Sequence, residues 1–282
     1  MIEKIISVND VYKIFNTKLS KNAVIKGATF DIIKGEKIII IGPSGSGKTT
    51  FIKLLIGELL PSAGSIIWDH QGIDTSLVSN NKLIQVRKSL FGFVTQVNDL
   101  IPHLNVKDNI MISNKISNKQ LDIKYQFDKL CSILNLELLL NKMPSELSEG
   151  EKKRVNIASA MINNPIILIA DEIIEGLDPI LSNKILDLLD TLNLQFSTTI
   201  ILTTHNQIVA SRGDKIIEIN NGIFSAIHSN DLDLDSLDKT RKNLIDKNGR
   251  IHLDHKLLEQ LNQPKQFGIY VNDGKIILDP DE

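Results

Sequence analysis

The run Gly42-Pro43-Ser44-Gly45-Ser46-Gly47-Lys48-Thr49 has the spacing G-x-x-x-x-G-K-[ST], which suits chemistry on phosphate. Its glycines let the backbone close around phosphate oxygens, so that successive N–H groups point inward. A helix beginning near Lys48 would add the positive end of its dipole. Lys48 would neutralise the β- and γ-phosphates, and Thr49 would offer a hydroxyl to Mg²⁺. A glycine-rich turn carrying a surface lysine is the plainer reading. The flanks favour the first: an apolar run over 38–41 precedes the loop and an apolar-periodic segment over 51–56 follows it. Strand, loop and helix together imply a nucleoside triphosphate site.

A second set of reactive groups is the pair Asp171-Glu172. A carboxylate at the end of a buried strand can hold Mg²⁺ through its water shell, which suits Asp171. Glu172 beside it can accept a proton from water attacking the terminal phosphate. Such a pair can also be an ordinary helix entry, but here it follows directly on the apolar stretch 166–170.

These groups need strands to carry them. Buried parallel strands read as unbroken apolar runs, and three stand out, at 37–41, 166–170 and 199–203. Each gives way to polar residues at its C-terminal end, where open α/β sheets bind ligands. Residues 5–15 and 23–33 alternate enough to predict further strands, and helical patterns dominate 98–164, most clearly 121–140. The expected class is α/β, a mixed sheet with helices and a helical subdomain inserted into the nucleotide fold.

Bulk properties agree and exclude little else. Hydrophobic residues at 42% and charged residues at 23% are ordinary for a globular chain, which argues against disorder. A net charge of −2 supplies no general attraction for nucleic acid. The single cysteine, Cys131, cannot form an internal disulfide and reads as small apolar filler. No signal peptide is visible, and no apolar run reaches the roughly 18 residues of a membrane span. The expected location is cytoplasmic, peripheral at the inner face of the cell membrane.

Further motifs follow in a fixed order. Phe91-Gly92-Phe93-Val94-Thr95-Gln96 ends in glutamine, and Leu147-Ser148-Glu149-Gly150-Glu151 opens an amphipathic helix. Gly176-Leu177-Asp178-Pro179 follows the acid pair, and Thr203-Thr204-His205 closes a strand. In this order the series resembles the ATP-binding cassette (ABC) family over residues 2–227. The resemblance implies Glu172 as catalytic base, Gln96 as sensor of Mg²⁺ and water, and His205 as a γ-phosphate contact. Mg²⁺ would be held by Thr49, Gln96 and Asp171. Nucleotide contacts would come from residues 42–50, Thr50 included, from Asp178, and from Phe15 stacking on adenine, with Tyr12 its neighbour and competitor. Ser148 and Gly150 would reach the γ-phosphate of ATP held by a second cassette, so that two ATP molecules lie between two chains. A helix cap is the plain reading of Ser148, and both roles are compatible. Two departures are notable. Glu149 stands where the family's signature has glycine, and Ile173-Ile174 replace the common Pro-Thr.

The stretch 91–106 is similar to cassettes of the MacB, LolD and FtsE group, which implies a membrane permease partner docking around 97–110. An acidic linker is expected at 228–240, with Asp231, Asp233 and Asp235. Residues 241–282 resemble an AbrB-type swapped-hairpin module. Asp273-Gly274 provides its hairpin turn, and a short helix is expected at 256–261. Lys239, Arg241, Lys242, Lys247 and Arg250 are set against Asp254, Glu259, Asp279, Asp281 and Glu282, which favours dimerisation over DNA binding. His252 and His255 read as surface residues, with no third metal ligand in view. Two functions result. One is the ATP-hydrolysing subunit of a transporter, the other a soluble or regulatory ATPase whose tail binds DNA or dimerises.

Overall fold

The computed structural model describes residues 3–16, 21–95, 100–115, 122–229, 241–243, 267–272 and 275–280. Strands β1 (Lys4–Asn16), β2 (Lys21–Ile33) and β3 (Lys37–Ile41) lead through the glycine loop into helix α1 (Lys48–Leu55). Then come β4 (Ala63–Trp68), β5 (Ile73–Asp74), α2 (Asn80–Leu90), β6 (Phe91–Val94), α3 (Val106–Lys115), α4 (Ile123–Ile133) and α5 (Glu149–Met161). The chain returns to the sheet with β7 (Ile167–Asp171), α6 (Pro179–Phe196), β8 (Thr199–Thr204), α7 (Gln207–Ala210), β9 (Lys215–Asn220) and β10 (Ile223–Ser229). Last come β11 (Arg241–Asn243), β12 (Phe267–Asn272) and β13 (Lys275–Pro280).

The main sheet has the order β11-β10-β9-β3-β8-β7-β6. Its five strands from β9 to β6 run parallel, while β10 and β11 are antiparallel additions at the edge. The unbroken apolar runs are explained by burial on both faces. Ile38, Ile40, Ile167, Ile169 and Ile201 enter one core, while Ile39, Leu168, Ala170, Ile200 and Leu202 enter the other. Alternate residues of a strand point to opposite faces, so a central strand packed on both sides has no polar face to show. The first core lies against α1 and an antiparallel sheet of order β2-β1-β4-β5. Phe30, Phe51 and Phe224 meet there with centroids 4.9–5.7 Å apart. Trp68, fully buried, donates from Nε1 to the Leu55 carbonyl at 2.9 Å, which satisfies an orphan group at the end of α1.

The second core holds α3 to α6. Here the expected helical stretch 121–140 is broken. Asn135 adopts φ 50°, while the Leu136 N–H reaches the Cys131 carbonyl and the Asn135 N–H reaches that of Ser132. This paired closure ends α4, and asparagine tolerates the left-handed conformation it needs. Strands β1 and β2 match the expected 5–15 and 23–33 closely.

Beyond Ser229, β11 adds to the sheet edge through Ala226↔Asn243 to His228↔Arg241. β12 and β13 form a separate antiparallel pair, from Phe267↔Pro280 to Asn272↔Lys275. Of the linker expected at 228–240, His228 and Ser229 instead end β10, paired with Ile216 and Lys215, while Asp231, Asp233 and Asp235, the helix expected at 256–261, Asp273-Gly274, His252 and His255 lie outside the described residues. Among the described residues no helix is long and apolar enough to cross a membrane.

Candidate functional site

Register brings the reactive groups together. Ile41 lies beside Thr204, Asp171 beside Thr203, and Val94 beside Ala170, so β3, β8, β7 and β6 end along one edge. The glycine loop leaves β3 at that edge, and Gly42 N–H is tied to the Thr204 carbonyl at 3.2 Å. A Cβ on Gly42 would lie 2.1 Å from the Ile219 carbonyl oxygen, so no larger residue fits. Gly47, with φ 111°, caps α1, which a residue bearing Cβ could adopt only with strain. Within this loop the Ser46 hydroxyl is buried and has no hydrogen-bond partner in the structure. Buried polar atoms are rarely left unpaired, so an orphan inside a loop at a helix N-terminus marks a place for an anion's oxygens.

Lys48 is 4% exposed, and a buried ammonium needs compensation. Its Nζ donates to the carbonyls of Gly42 at 2.8 Å and Pro43 at 3.1 Å, and pairs with Glu172 Oε1 at 3.2 Å. Thr49 Oγ1 donates to Asp171 Oδ2 at 3.2 Å. The hydroxyl of Thr203 donates to Asp171 Oδ1 at 2.5 Å and accepts the Glu172 N–H at 3.0 Å. One buried hydroxyl therefore sets both acids. Glu172 itself has φ 50°, a conformation uncommon outside glycine that recurs at functional sites. Thr49 and Asp171 supply the hard oxygen donors that Mg²⁺ takes, and the orphaned Ser46 hydroxyl lies in the same loop, so these residues fit a magnesium nucleotide.

Other expected residues fall as follows. Ser44, Gly45 and Thr49 are exposed and Thr50 is half-buried. Phe15 is 39% exposed near the end of β1, with Lys13 Nζ 5.3 Å from its ring centroid. Tyr12 instead packs toward Gly27, where an added Cβ would meet its Oη at 3.0 Å, which leaves Phe15 the freer aromatic. His205 is exposed beyond β8 and lines a cavity of about 300 Å³ together with Glu172, Glu175 and Asn206. Gln96 lies outside the described residues.

The signature residues form a second group. Ser148 caps α5 through a reciprocal box in which its N–H and Oγ both donate to Glu151 Oε2, at 2.8 and 2.7 Å. Those bonds hold the Glu151 carboxyl below its ordinary range. Asp178 caps α6, accepting from Ile180 and Leu181 N–H at 3.0 Å each. Leu181 then packs on Gly150, whose absent Cβ would stand 2.7 Å from it. Ser148 and Gly150 line a cavity of about 480 Å³ that includes no residue of the glycine loop. Glu149 pairs with Lys152 at 2.7 Å, so its charge is answered within its own helix.

Sequence reading assigned no role to Thr203 or Glu175. Thr203 sits in the quoted Thr203-Thr204-His205 run, and a hydroxyl inside an otherwise apolar strand is the signal it offered. Glu175 lies three residues after Glu172, and its N–H closes a turn on the Glu172 carbonyl at 3.1 Å.

A groove of about 360 Å³ opens beside β6. Phe93, Leu100 and Ile101 form its apolar part, and Asn109, Ser113 and Ser159 its polar part. The Asn109 amide accepts from Ile101 N–H at 2.7 Å and donates to the Leu104 carbonyl at 2.8 Å, which pins the segment approaching α3. Ser113 and Ser159 hydroxyls meet at 2.8 Å, tying α3 to α5.

Comparison with known proteins bears on the same residues. The family model described as ABC transporter matches residues 25–175. The MG065 homolog of Mycoplasma pneumoniae is 31% identical over 228 residues, which is 81% of this chain and 48% of that protein. The chain thus spans about half the length of the curated relatives it matches first. The lipoprotein-releasing system ATP-binding protein LolD of Legionella pneumophila is 32% identical, with 80% of this chain and 99% of that one covered. Among solved structures, the dimeric post-hydrolysis state of the ATP-binding cassette MJ0796 bound to ADP and Pi aligns with a TM-score of 0.71 at 29% identity. That alignment covers 81% of this chain and all of the other. A glycine loop, an acid pair and a capped signature helix, carried on a sheet that superposes on a solved cassette, agree with the match of the family model over more than half the chain: it belongs to the ABC transporter family.

Proposed function

We propose that this chain is the ATP-hydrolysing subunit of an ABC transporter, working as a pair of cassettes around two Mg²⁺-ATP and driving a membrane partner. The convergence of Lys48, Thr49, Asp171 and Glu172 at the ends of adjoining strands carries this reading. In it, the loop N–H groups and Lys48 bind the phosphates, and Thr49 and Asp171 hold Mg²⁺, with Gln96 as a further ligand. Mg²⁺ supplies charge neutralisation on the phosphate oxygens. Glu172 takes the proton of the attacking water once Lys48 has turned to the phosphates, and His205 contacts the γ-phosphate. Phe15 stacks on the base, and Thr50 and Asp178 complete the nucleotide contacts. Ser148 and Gly150 serve the nucleotide of the opposite cassette, which is why they stand apart from the loop within one chain. The dimeric MJ0796 cassette, bound to ADP and Pi, supports that arrangement.

The groove beside β6 is the surface we assign to the permease, in line with docking around 97–110. It is half apolar, and it is braced by Asn109 onto α3 and through Ser113 and Ser159 onto α5. Movement of the signature helix would therefore reach the partner directly. The peripheral membrane location follows from that contact. We propose a dimerising AbrB-like module within the expected 241–282, beyond an acidic linker expected at 228–240 and a cassette expected over 1–227. β10 runs on to Ser229 and β11 (Arg241–Asn243) pairs with it in the main sheet, so these residues count with the cassette and the module lies after Asn243. The β12–β13 hairpin supports it, since a two-stranded hairpin is marginal unless packed on something else.

The test uses Glu172→Gln, which should retain ATP binding while hydrolysis slows by about 10²–10⁴-fold, the worth of a general base. Light scattering with and without Mg²⁺-ATP, on the full chain and on one ending after residue 243, separates the two modes of association. Near-normal turnover would remove Glu172 from the role of base. A shortened chain that stays monomeric with ATP bound would remove the homodimeric cassette pair.

A further inference from the structure

His205 stands between a fixed part of the chain and one that needs fastening. Before it, β8 is held in register between β3 and β7, and the Thr204 carbonyl accepts Gly42 N–H at 3.2 Å. After it comes α7, four residues long, and a helix of that length has no stability of its own. Val209 and Ala210 are buried in the helical core. Just past the end of α7, Arg212 adds a polar anchor. Its Nη1 donates to Asp187 Oδ1 at 2.5 Å and to Asp190 Oδ2 at 3.4 Å, and its Nη2 donates to Asn183 Oδ1 at 3.2 Å. At positions 183, 187 and 190 these acceptors share one face of α6 over two turns. Asp190 also takes Lys37 Nζ at 3.0 Å, which carries the network to β3. Asn183 has a second place in the structure. Together with Leu186 it lines the cavity of about 300 Å³ that His205, Asn206 and Val209 also line.

We propose that Arg212 is a positioning residue of the hydrolytic centre: its guanidinium fastens the segment 205–212 to α6 and so sets where His205 stands for the γ-phosphate. This rests on His205 being the γ-phosphate contact. An isolated exposed ion pair adds little and fixes nothing. Arg212 differs because one planar fork meets three acceptors at once, which leaves the side chain few other arrangements. One of those acceptors, Asn183, belongs to the same cavity as His205, so the anchor and the imidazole border a common space.

The experiment is ATP hydrolysis by the full-length protein, with kcat and KM determined separately for Arg212→Ala, His205→Ala and the double variant. Slow variants are followed as single turnovers, and melting is read by circular dichroism alongside. Arg212→Ala should lower kcat on the order of tenfold with KM little changed, because a misplaced group weakens the transition state more than the ground state. Added to His205→Ala it should lower kcat no further, since a residue that acts through the imidazole then has nothing left to place. An unchanged kcat in Arg212→Ala overturns the positioning role, as does a matching change in KM. An equal fold-loss with and without His205 overturns it too, because Arg212 would then act elsewhere. If Arg212→Ala is unfolded at the assay temperature, Asp187→Ala removes the 2.5 Å acceptor from the other side and enters the same cycle. A smaller loss that vanishes without His205 is expected there, and an unchanged kcat overturns the role. If His205→Ala is slow while Arg212→Ala behaves as wild type, only this inference fails. If His205→Ala turns over normally, the assignment of His205 fails and this inference falls with it.

Discussion

Replacing Thr203 by valine removes one oxygen and keeps the shape of a fully buried side chain. The lost hydroxyl makes two bonds, a 2.5 Å donation to Asp171 and acceptance of the Glu172 N–H at 3.0 Å. Hydrogen bonds to charged groups contribute about 1.5–3 kcal/mol, and a buried N–H left unpaired costs about 1–3 kcal/mol. The two effects together predict a loss of about 3–5 kcal/mol for Thr203→Val, a large share of the roughly 5–15 kcal/mol that holds a domain folded. At about 2–4 °C per kcal/mol for a domain of this size, the melting temperature should fall by about 6–20 °C. Thr203→Ser is the control: it keeps the oxygen, loses one methyl, and should cost only about 1 kcal/mol. Urea unfolding monitored by circular dichroism measures both variants against wild type. Magnesium-dependent nucleotide binding should weaken in the valine variant as well, because Asp171 loses the donor that orients it. A valine variant within about 0.5 kcal/mol of wild type, or a serine variant as unstable as the valine one, would refute the view that this hydroxyl organises both acids.

Two shorter predictions follow. Lys48→Ala should abolish nucleotide binding by calorimetry, and unchanged ATP affinity would undo the phosphate-loop reading. Cys131 is buried in the helical core, and desolvation, aided by Glu137 and Asp128, pushes its thiol up to about 11. It should therefore resist a thiol reagent at pH 8 in the folded protein and react on unfolding. Because the folded value lies above the unfolded one, stability from this group is fully present below the ordinary thiol pKa. It falls as pH rises through about 11, a decline that Cys131→Ala should lack.

The site was more legible in the sequence than the shape that surrounds it, for a physical reason. Glycine loop, acid pair and strand-end histidine each follow an apolar run, and parallel strands buried on both faces can hardly be written any other way. The paired edge strands were harder to see, because a half-exposed strand carries a mixed pattern that other elements share. Even so, β9 and β10 are joined through Asn221 and Gly222, both at positive φ, and Asn-Gly between apolar stretches is a strong hairpin signal. The end of α4 was likewise present as Asn135, but one asparagine in an apolar helical stretch does not announce a left-handed closure.

Thr203 was obscure for a different reason. Its role depends on register, which no local pattern encodes. Asp171 lies beside Thr203 only because β7 and β8 pair in parallel with that alignment. Slipping the pair by one residue would put Leu202 or Thr204 there and turn the hydroxyl of Thr203 to the opposite face. That register is in turn fixed by the two cores: Ile169 and Ile201 must both enter one, while Ala170 and Leu202 enter the other. The placement of a hydroxyl against Asp171 and Glu172 is thus set by isoleucines and leucines that take no part in those bonds. Changes among those core residues that preserve volume should be tolerated, whereas any change that shifts β8 along β7 should disable the site before it unfolds the chain.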